Sequence, residues 1–150
     1  GVGFDVAVVQ SLPRGGSSLG RSAYLFIAAR KFWRYRAISI DAQPYLVIVI
    51  GNGARFGGGM LLAPSASIND GLLDFVAVRD MGPFARVRTL LTAARGKHLG
   101  LPGVEHSRAA SFELRFETPP LFEADGELVQ ADRPDLMVRC EKQRLRVCAP

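Results

Sequence analysis

The stretch Tyr45-Leu46-Val47-Ile48-Val49-Ile50, followed at once by Gly51-Asn52-Gly53-Ala54-Arg55-Phe56-Gly57-Gly58-Gly59, decides between two fold classes. The continuous, β-branched-rich run predicts a strand buried on both faces. A glycine turn behind such a strand is also how a dinucleotide-binding unit begins, but that turn must open a helix whose N-terminal amides hold a pyrophosphate. Here three glycines in a row, then Met60 to Ala63 and Pro64, leave no room for one. No Gly-Lys-Ser/Thr occurs anywhere, which excludes a Walker A loop. What remains is backbone free to take positive φ and approach a neighbour closely, a glycine hinge between strands.

Outward from this point the elements are short. Val2 to Val9 is β-prone and ends in the turn formers Pro13 to Ser18, predicting a strand and a loop. Arg21 to Tyr35 contains no proline or glycine and repeats apolar residues at helical spacing (Leu25, Ala28, Ala29, Phe32, Trp33), predicting a helix. Ala37 to Asp41 and Leu72 to Val78 read as strands. Pro83 to Ala94 reads as a second helix, with proline near its first turn and Gly96 just past its end. Ser111 to Glu117 alternates Phe112, Leu114 and Phe116 inward with Glu113, Arg115 and Glu117 outward. Further strands fit Leu121 to Glu123, Leu136 to Glu141 and Leu145 to Cys148. Seven or eight short strands, two helices and no regular βαβ alternation predict a mainly β (α+β) domain, an antiparallel β-sandwich.

Composition agrees with one compact domain: 150 residues, 48% apolar and 22% charged, with a mean hydropathy of +0.13. Disorder and collagen are excluded. The longest apolar runs, Ala23 to Ala29 and Tyr45 to Ile50, fall far short of the roughly 18 residues of a bilayer span. The opening Gly1-Val2-Gly3-Phe4-Asp5 lacks an initiator Met and the pattern of a secretory signal, so the chain reads as a fragment. Cys140 and Cys148 form no C-x-x-C pattern and have no nearby histidine, which points to thiols in a reducing cytosol. Net charge is +5, from 19 basic and 14 acidic residues. Arg21, Arg30, Lys31, Arg34 and Arg36 share one acid-free stretch, and the remaining 14 cations balance the 14 acids, so the net charge is a local patch. That stretch also carries Tyr24, Phe26, Phe32, Trp33 and Tyr35, a mixture suited to a membrane interface or a phosphate-rich partner. Confinement of the cations to one segment, with no accompanying RNA or DNA motif, argues against nucleic acid.

Two acidic turns could carry chemistry. In Asn69-Asp70-Gly71-Leu72-Leu73-Asp74 the Asp70 carboxylate can bond its own turn, or join main-chain oxygens around Mg²⁺. In Glu123-Ala124-Asp125-Gly126-Glu127 the Asp-Gly pair marks a tight hairpin and leaves Glu127 at a strand start, where a carboxylate beside a cleft can act as general base toward a hydroxyl. His98 and His106 have no triad partner and are assigned no chemistry.

Taken in order, Gly3-Phe4-Asp5, Gly51-Asn52-Gly53 through Gly57-Gly58-Gly59-Met60, Ala63-Pro64 with Ala66, Asp70-Gly71-Leu72-Leu73-Asp74, Gly96-Lys97-His98 with Pro102-Gly103-Val104, and Asp125-Gly126-Glu127 resemble the C-terminal domain of bacterial diacylglycerol kinase-like lipid kinases. That family also resembles the sphingosine and ceramide kinases. The resemblance implies that residues 1–150 are a single β-rich C-terminal lobe, packed in the family against an N-terminal α/β lobe related to NAD kinases that binds most of ATP through Gly-Gly-Asp-Gly-Thr. This segment is absent from the sequence, so the chain alone is expected to be inactive. By carry-over, Glu127 matches the proton acceptor and Asp125 a weaker catalytic position. Asp70 matches a structural Mg²⁺ site completed by the main-chain oxygens of Ser67 and Leu72. Gly57, Gly58 and Gly59 fall in an interlobe loop. Arg30, Lys31 and Arg34 become candidates for contact with an anionic membrane. The implied setting is cytoplasmic, peripheral at the inner face of the membrane, with a lipid substrate, ATP as co-substrate, and room for a homodimer. The competing class is a non-catalytic lipid- or membrane-binding β module. A Gly-Gly-Asp-Gly-Thr segment upstream in the same frame favours the kinase.

Overall fold

The structure, a computed structural model, describes residues 1–10, 30–57 and 59–142. In chain order the elements are β1 (Val2–Gly3), α1 (Phe4–Val9), β2 (Ile38–Ile40), β3 (Gln43–Gly51), β4 (Leu73–Arg79), α2 (Pro83–Ala93), β5 (Val104–Ala109), β6 (Ser111–Arg115), β7 (Leu121–Ala124), β8 (Glu127–Gln130) and β9 (Asp135–Arg139). Residues 30–34 are also helical. A seven-stranded antiparallel sheet runs β5-β4-β3-β1-β7-β8, with β2 paired to β3, and β6 and β9 form a second, two-stranded sheet. The expected sandwich is therefore present.

Strand β3 owes its burial to covers on both faces. Tyr45 and Ile48 pack with Val2, Ile40, Ala77 and Leu114 toward the β6-β9 sheet, where Phe75 and Phe112 stack at 5.3 Å. Leu46 packs on the opposite face with Phe4, Val8, Phe32, Val78 and Leu90, under the helices. A bulge between Tyr45 and Val47 shifts the register there, which turns the strand and changes the simple alternation of faces.

Val2 to Val9 is not one strand. Gly3 sits at φ 92, ψ −124 and stops β1 after two residues. The chain then turns into α1, which sets Phe4 and Val8, four apart, into the helical-side core. A Cβ at Gly3 would lie 2.7 Å from the Leu46 carbonyl oxygen, and the positive φ is itself unfavourable for an L residue. Gly3→Ala is expected to cost about 2 kcal/mol or more, read as a lowered melting temperature; an unchanged melt would show that β1 is free to shift.

Arg86 joins the helices to the sheet. It is 9% exposed and its Nε donates to the Met81 carbonyl at 2.8 Å. Nη1 donates to the Phe32 and Tyr35 carbonyls at 3.0 and 2.7 Å, and Nη2 to Asp80 Oδ1 at 2.6 Å. Helix α2 begins with Pro83 and ends before Gly96 at φ 69, as its composition predicts.

Three further expectations need comment. Trp33, grouped by its spacing with core residues, is 41% exposed, whereas Phe32 beside it is 3% exposed. Strand β5 has the polar sequence Val104-Glu105-His106-Ser107-Arg108-Ala109 and was not foreseen; an edge strand needs few apolar side chains. Residues 21–29 of the expected first helix, and the expected strand Leu145 to Cys148, lie outside the described residues.

Candidate functional site

A cleft of about 540 Å³ opens between the end of β3, the end of β7 and β9. Gly51, Asn52, Gly53 and Arg55 contribute from the glycine-rich segment, Glu123 and Asp125 from the acidic turn, and Asp74 from β4. Two of the motifs selected in the sequence thus meet around one cavity.

The turn between β7 and β8 is the predicted tight hairpin. Asp125 at φ 50 and Gly126 at φ 93 make a two-residue connection, the geometry that matches the twist of paired strands. Ala124 lies opposite Glu127 in register. Ala124 lines the cleft, whereas Glu127, exposed at the start of β8, is not among the residues that line it. Asp125 is exposed and lines the cavity.

Glu123, which sequence reasoning passed over, holds this turn. It is 7% exposed, and its Oε1 accepts the Gly126 N–H. Against it packs Asp5, also 7% exposed. Burial pushes the Asp5 carboxyl up to about 7, helped by a hydrogen bond to Glu123 and by its charge. Burial pulls Glu123 upward, but the same hydrogen bond and the Gly126 N–H outweigh it and lower its pKa. A neutral Asp5 therefore donates to an ionised Glu123.

Between an unfolded value near 3.8 and the folded value of about 7, the folded chain keeps a proton on Asp5 that the unfolded chain releases. The Asp5 contribution to stability is present at acid pH and declines as pH rises through that window. Glu123 acts oppositely, losing its contribution as pH falls. Asp5→Asn, neutral at all pH values, is expected to gain on the parent in thermal melts as the pH is raised from about 4 to about 8. Parallel melts across that range would remove Asp5 from this role.

Asp70 occupies the turn before β4. Its Oδ1 accepts the Leu72 N–H at 2.9 Å, Gly71 follows at φ 73, and Oδ2 pairs with Arg108. The Leu72 N–H holds its pKa below the ordinary range, with Arg108 adding to the effect against some desolvation. Ser67 is exposed and Leu72 half-buried in the same turn region. Arg108 also lies 3.4 Å from Asp74 Oδ2, and His106 is 2.7 Å from Asp74 Oδ1. Asp74 is 2% exposed. This Asp70-Arg108-Asp74-His106 cluster was missed because it depends on pairing of β4 with β5, and β5 carries no apolar pattern. The oxygen donors of the turn, a carboxylate with main-chain carbonyls, fit a hard cation in kind, with Arg108 sharing Oδ2. Among the described residues no cluster of three His, Cys, Asp or Glu side chains is placed to hold a metal.

The glycine-rich loop is closed by reciprocal 2.9 Å hydrogen bonds between Phe56 and Met60. Gly57 and Gly59 take φ 40 and 84, and Arg55 Nη1 donates to the Gly59 carbonyl at 3.0 Å. Gly58 lies outside the described residues. Arg30, Lys31 and Arg34 are exposed on the helical residues 30–34, away from the residues that line the cleft. Lys31 Nζ donates to the Ala7 carbonyl at 3.2 Å. His98 is fully buried and burial lowers its pKa, against the Leu62 backbone and with a smaller lowering from His106. It is a core residue.

Residues 1–149 match the family described as the YegS C-terminal NAD kinase beta sandwich-like domain. A protein of Pseudomonas putida named probable lipid kinase YegS-like is 35% identical over 127 residues, covering 68% of this chain and 42% of that protein. One of the same name from Xanthomonas axonopodis pv. citri is 29% identical, covering 99% and 50%. The chain spans about half the length of these curated relatives. In fold it is similar to the crystal structure of a diacylglycerol kinase candidate from Bacillus anthracis str. Sterne, with a TM-score of 0.58, 16% identity, and coverage of 92% of this chain and 49% of that one. A double-sided β3, an acidic hairpin on a cleft and a family match over residues 1–149 lead to one assignment: the chain belongs to the YegS C-terminal NAD kinase beta sandwich-like domain family.

Proposed function

We propose that this chain is the second lobe of an ATP-dependent kinase that transfers the γ-phosphate to the hydroxyl of diacylglycerol or a similar lipid. The observation that supports the reading is the β7-β8 hairpin, whose Ala124 and Asp125 line the cleft bordered by the glycine-rich segment and whose Ala124 lies opposite Glu127 in register. Glu127 accepts the proton of the lipid hydroxyl as its oxygen attacks the γ-phosphorus. The bond from that phosphorus to the β-phosphate oxygen breaks and ADP leaves. Phosphoryl transfer depends mostly on positioning and charge stabilisation, so a carboxylate that orients the hydroxyl is the principal group this lobe must supply. Asp125 shapes the turn, and Glu123 fixes it through the Gly126 N–H.

ATP is held mainly by an N-terminal lobe of the same protein, facing Gly57 and Gly59 of the glycine-rich loop. Mg²⁺ is held at Asp70 with the main-chain oxygens of Ser67 and Leu72, where a bound ion supplies charge neutralisation that braces the turn. The working place is the cytoplasmic face of a membrane whose anionic lipids meet Arg30, Lys31 and Arg34. The chain alone is inactive.

The test is transfer of labelled phosphate from ATP to a panel of lipids in detergent micelles, by the full-length protein and by the 150-residue chain. Labelled lipid from the former alone is the expected result. No labelling by the full-length protein returns the domain to the class of non-catalytic lipid-binding modules.

A further inference from the structure

Both oxygens of Asp70 are engaged. Oδ1 accepts the Leu72 N–H at 2.9 Å and Oδ2 accepts from Arg108 Nη2, so a cation that coordinates this carboxylate meets an arginine already seated on it. A second cation stands beside the turn, because the Lys142 side chain crosses Gly71, where an added Cβ would lie 2.1 Å from its Cε.

Asp74 offers Arg108 another seat. The β4-β5 pairing sets the two residues directly opposite each other. Asp74 is 2% exposed, and His106 Nε2 fixes its Oδ1 at 2.7 Å. Its Oδ2 is buried and takes no hydrogen bond among the described residues. Arg108 Nε stands 3.4 Å from that oxygen, beyond the length of a formed N–H···O bond. Arg108 thus spans two carboxylates, bonded to the outer one and just short of the inner one. A buried carboxylate oxygen without a donor is costly, and a guanidinium is the donor that satisfies it best.

We propose that Arg108 is a displaceable occupant of the Asp70 turn: when Mg²⁺ binds there, Arg108 leaves Asp70 Oδ2 and closes onto Asp74 Oδ2. The exchange keeps each carboxylate paired and moves no proton. Asp74 lines the cleft, so the positive charge that leaves the turn arrives at the cleft wall and offsets a buried anion there. The inference rests on the reading of Asp70 as a cation ligand and adds to it a competitor, Arg108, and a receiver, Asp74.

Mg²⁺ is titrated calorimetrically, at one fixed pH, into the full-length protein without nucleotide, and Asp70→Asn supplies the background. Arg108→Gln is expected to tighten Mg²⁺ about tenfold, because a like charge in contact with the ligand carboxylate is removed. Lys142→Gln removes a neighbouring cation but not the one bonded to Asp70, and is expected to change the affinity by about threefold or less. Asp74→Asn is expected to weaken Mg²⁺ several-fold in the parent and to have little effect in the Arg108→Gln background, the non-additivity of residues that act together. In the unsubstituted protein with isotope-labelled arginine, one side-chain Nε–H resonance is expected to move as Mg²⁺ is added. Parental affinity in Arg108→Gln, or arginine Nε–H resonances that all stay in place, overturns the exchange and leaves Mg²⁺ at Asp70. An equal effect of Asp74→Asn in both backgrounds overturns Asp74 as receiver. Heats no larger than the Asp70→Asn background in both the parent and Arg108→Gln sink the cation reading of Asp70, and the exchange with it. Binding by Arg108→Gln alone supports the exchange, with Arg108 as the stronger competitor.

Discussion

Glu127→Gln in the full-length protein is expected to lower phosphate transfer to lipid by about 10²- to 10⁴-fold, the usual contribution of a positioned general base. The substitution preserves length and shape, so the Ala124-Glu127 register and the turn at Asp125-Gly126 should persist. Glutamine can still hold the lipid hydroxyl by a hydrogen bond, but it cannot take the proton. The loss should therefore fall on kcat, with the KM for lipid little changed. Asp125→Asn is the control: asparagine tolerates the positive φ of 50 found there, so the hairpin and most of the activity should survive. Steady-state kinetics with one lipid and saturating ATP separates the outcomes. Full activity of Glu127→Gln would remove Glu127 as proton acceptor without touching the fold assignment.

Arg86→Ala is expected to destabilise the domain by about 3–5 kcal/mol. The variant strands three main-chain carbonyls and Asp80, all now bonded by one guanidinium that is 9% exposed. A loss of that size rivals the whole stability of many small domains, so chemical denaturation should show either a sharply lowered midpoint or no folded baseline. Arg86→Lys should recover little. An ammonium is a compact point charge and does not reproduce the guanidinium fork that reaches Met81, Phe32, Tyr35 and Asp80 in different directions. Near-parental stability of Arg86→Ala would mean that water serves those carbonyls instead.

Elements with strong local signals were legible in advance. The β-branched run of β3, the Pro83 start and Gly96 end of α2, the alternation of β6 and the Asp-Gly hairpin all carry their cause within a few residues. Where the cause was tertiary, the sequence misled. Val2 to Val9 has strand composition, but Gly3 must approach the Leu46 carbonyl, a neighbour more than forty positions away, and the chain turns there into a helix. Trp33 has the spacing of a core residue, but of the two adjacent rings Phe32 is the one that enters the core and Trp33 stays 41% exposed. Of the site, Glu127, Asp125 and Asp70 could be chosen because turn residues announce themselves. Glu123 and Asp5 could not: their partnership arises only when the first turn of α1 is laid beside β7.

The two-residue strand β1 pairs with β3 on one side and β7 on the other. The meander β2 to β5 and the hairpin β7-β8 belong to one sheet only through this short bridge. A ribosome delivers β1 well before β7, yet Val2 finds its second neighbour, Phe122, only after some 120 further residues have emerged. Closure of the sheet must be a late event of folding, slowed by the long loop it completes. Until then β3 and β7 each present an open edge, and the nascent domain is most prone to pair with the wrong chain during that interval.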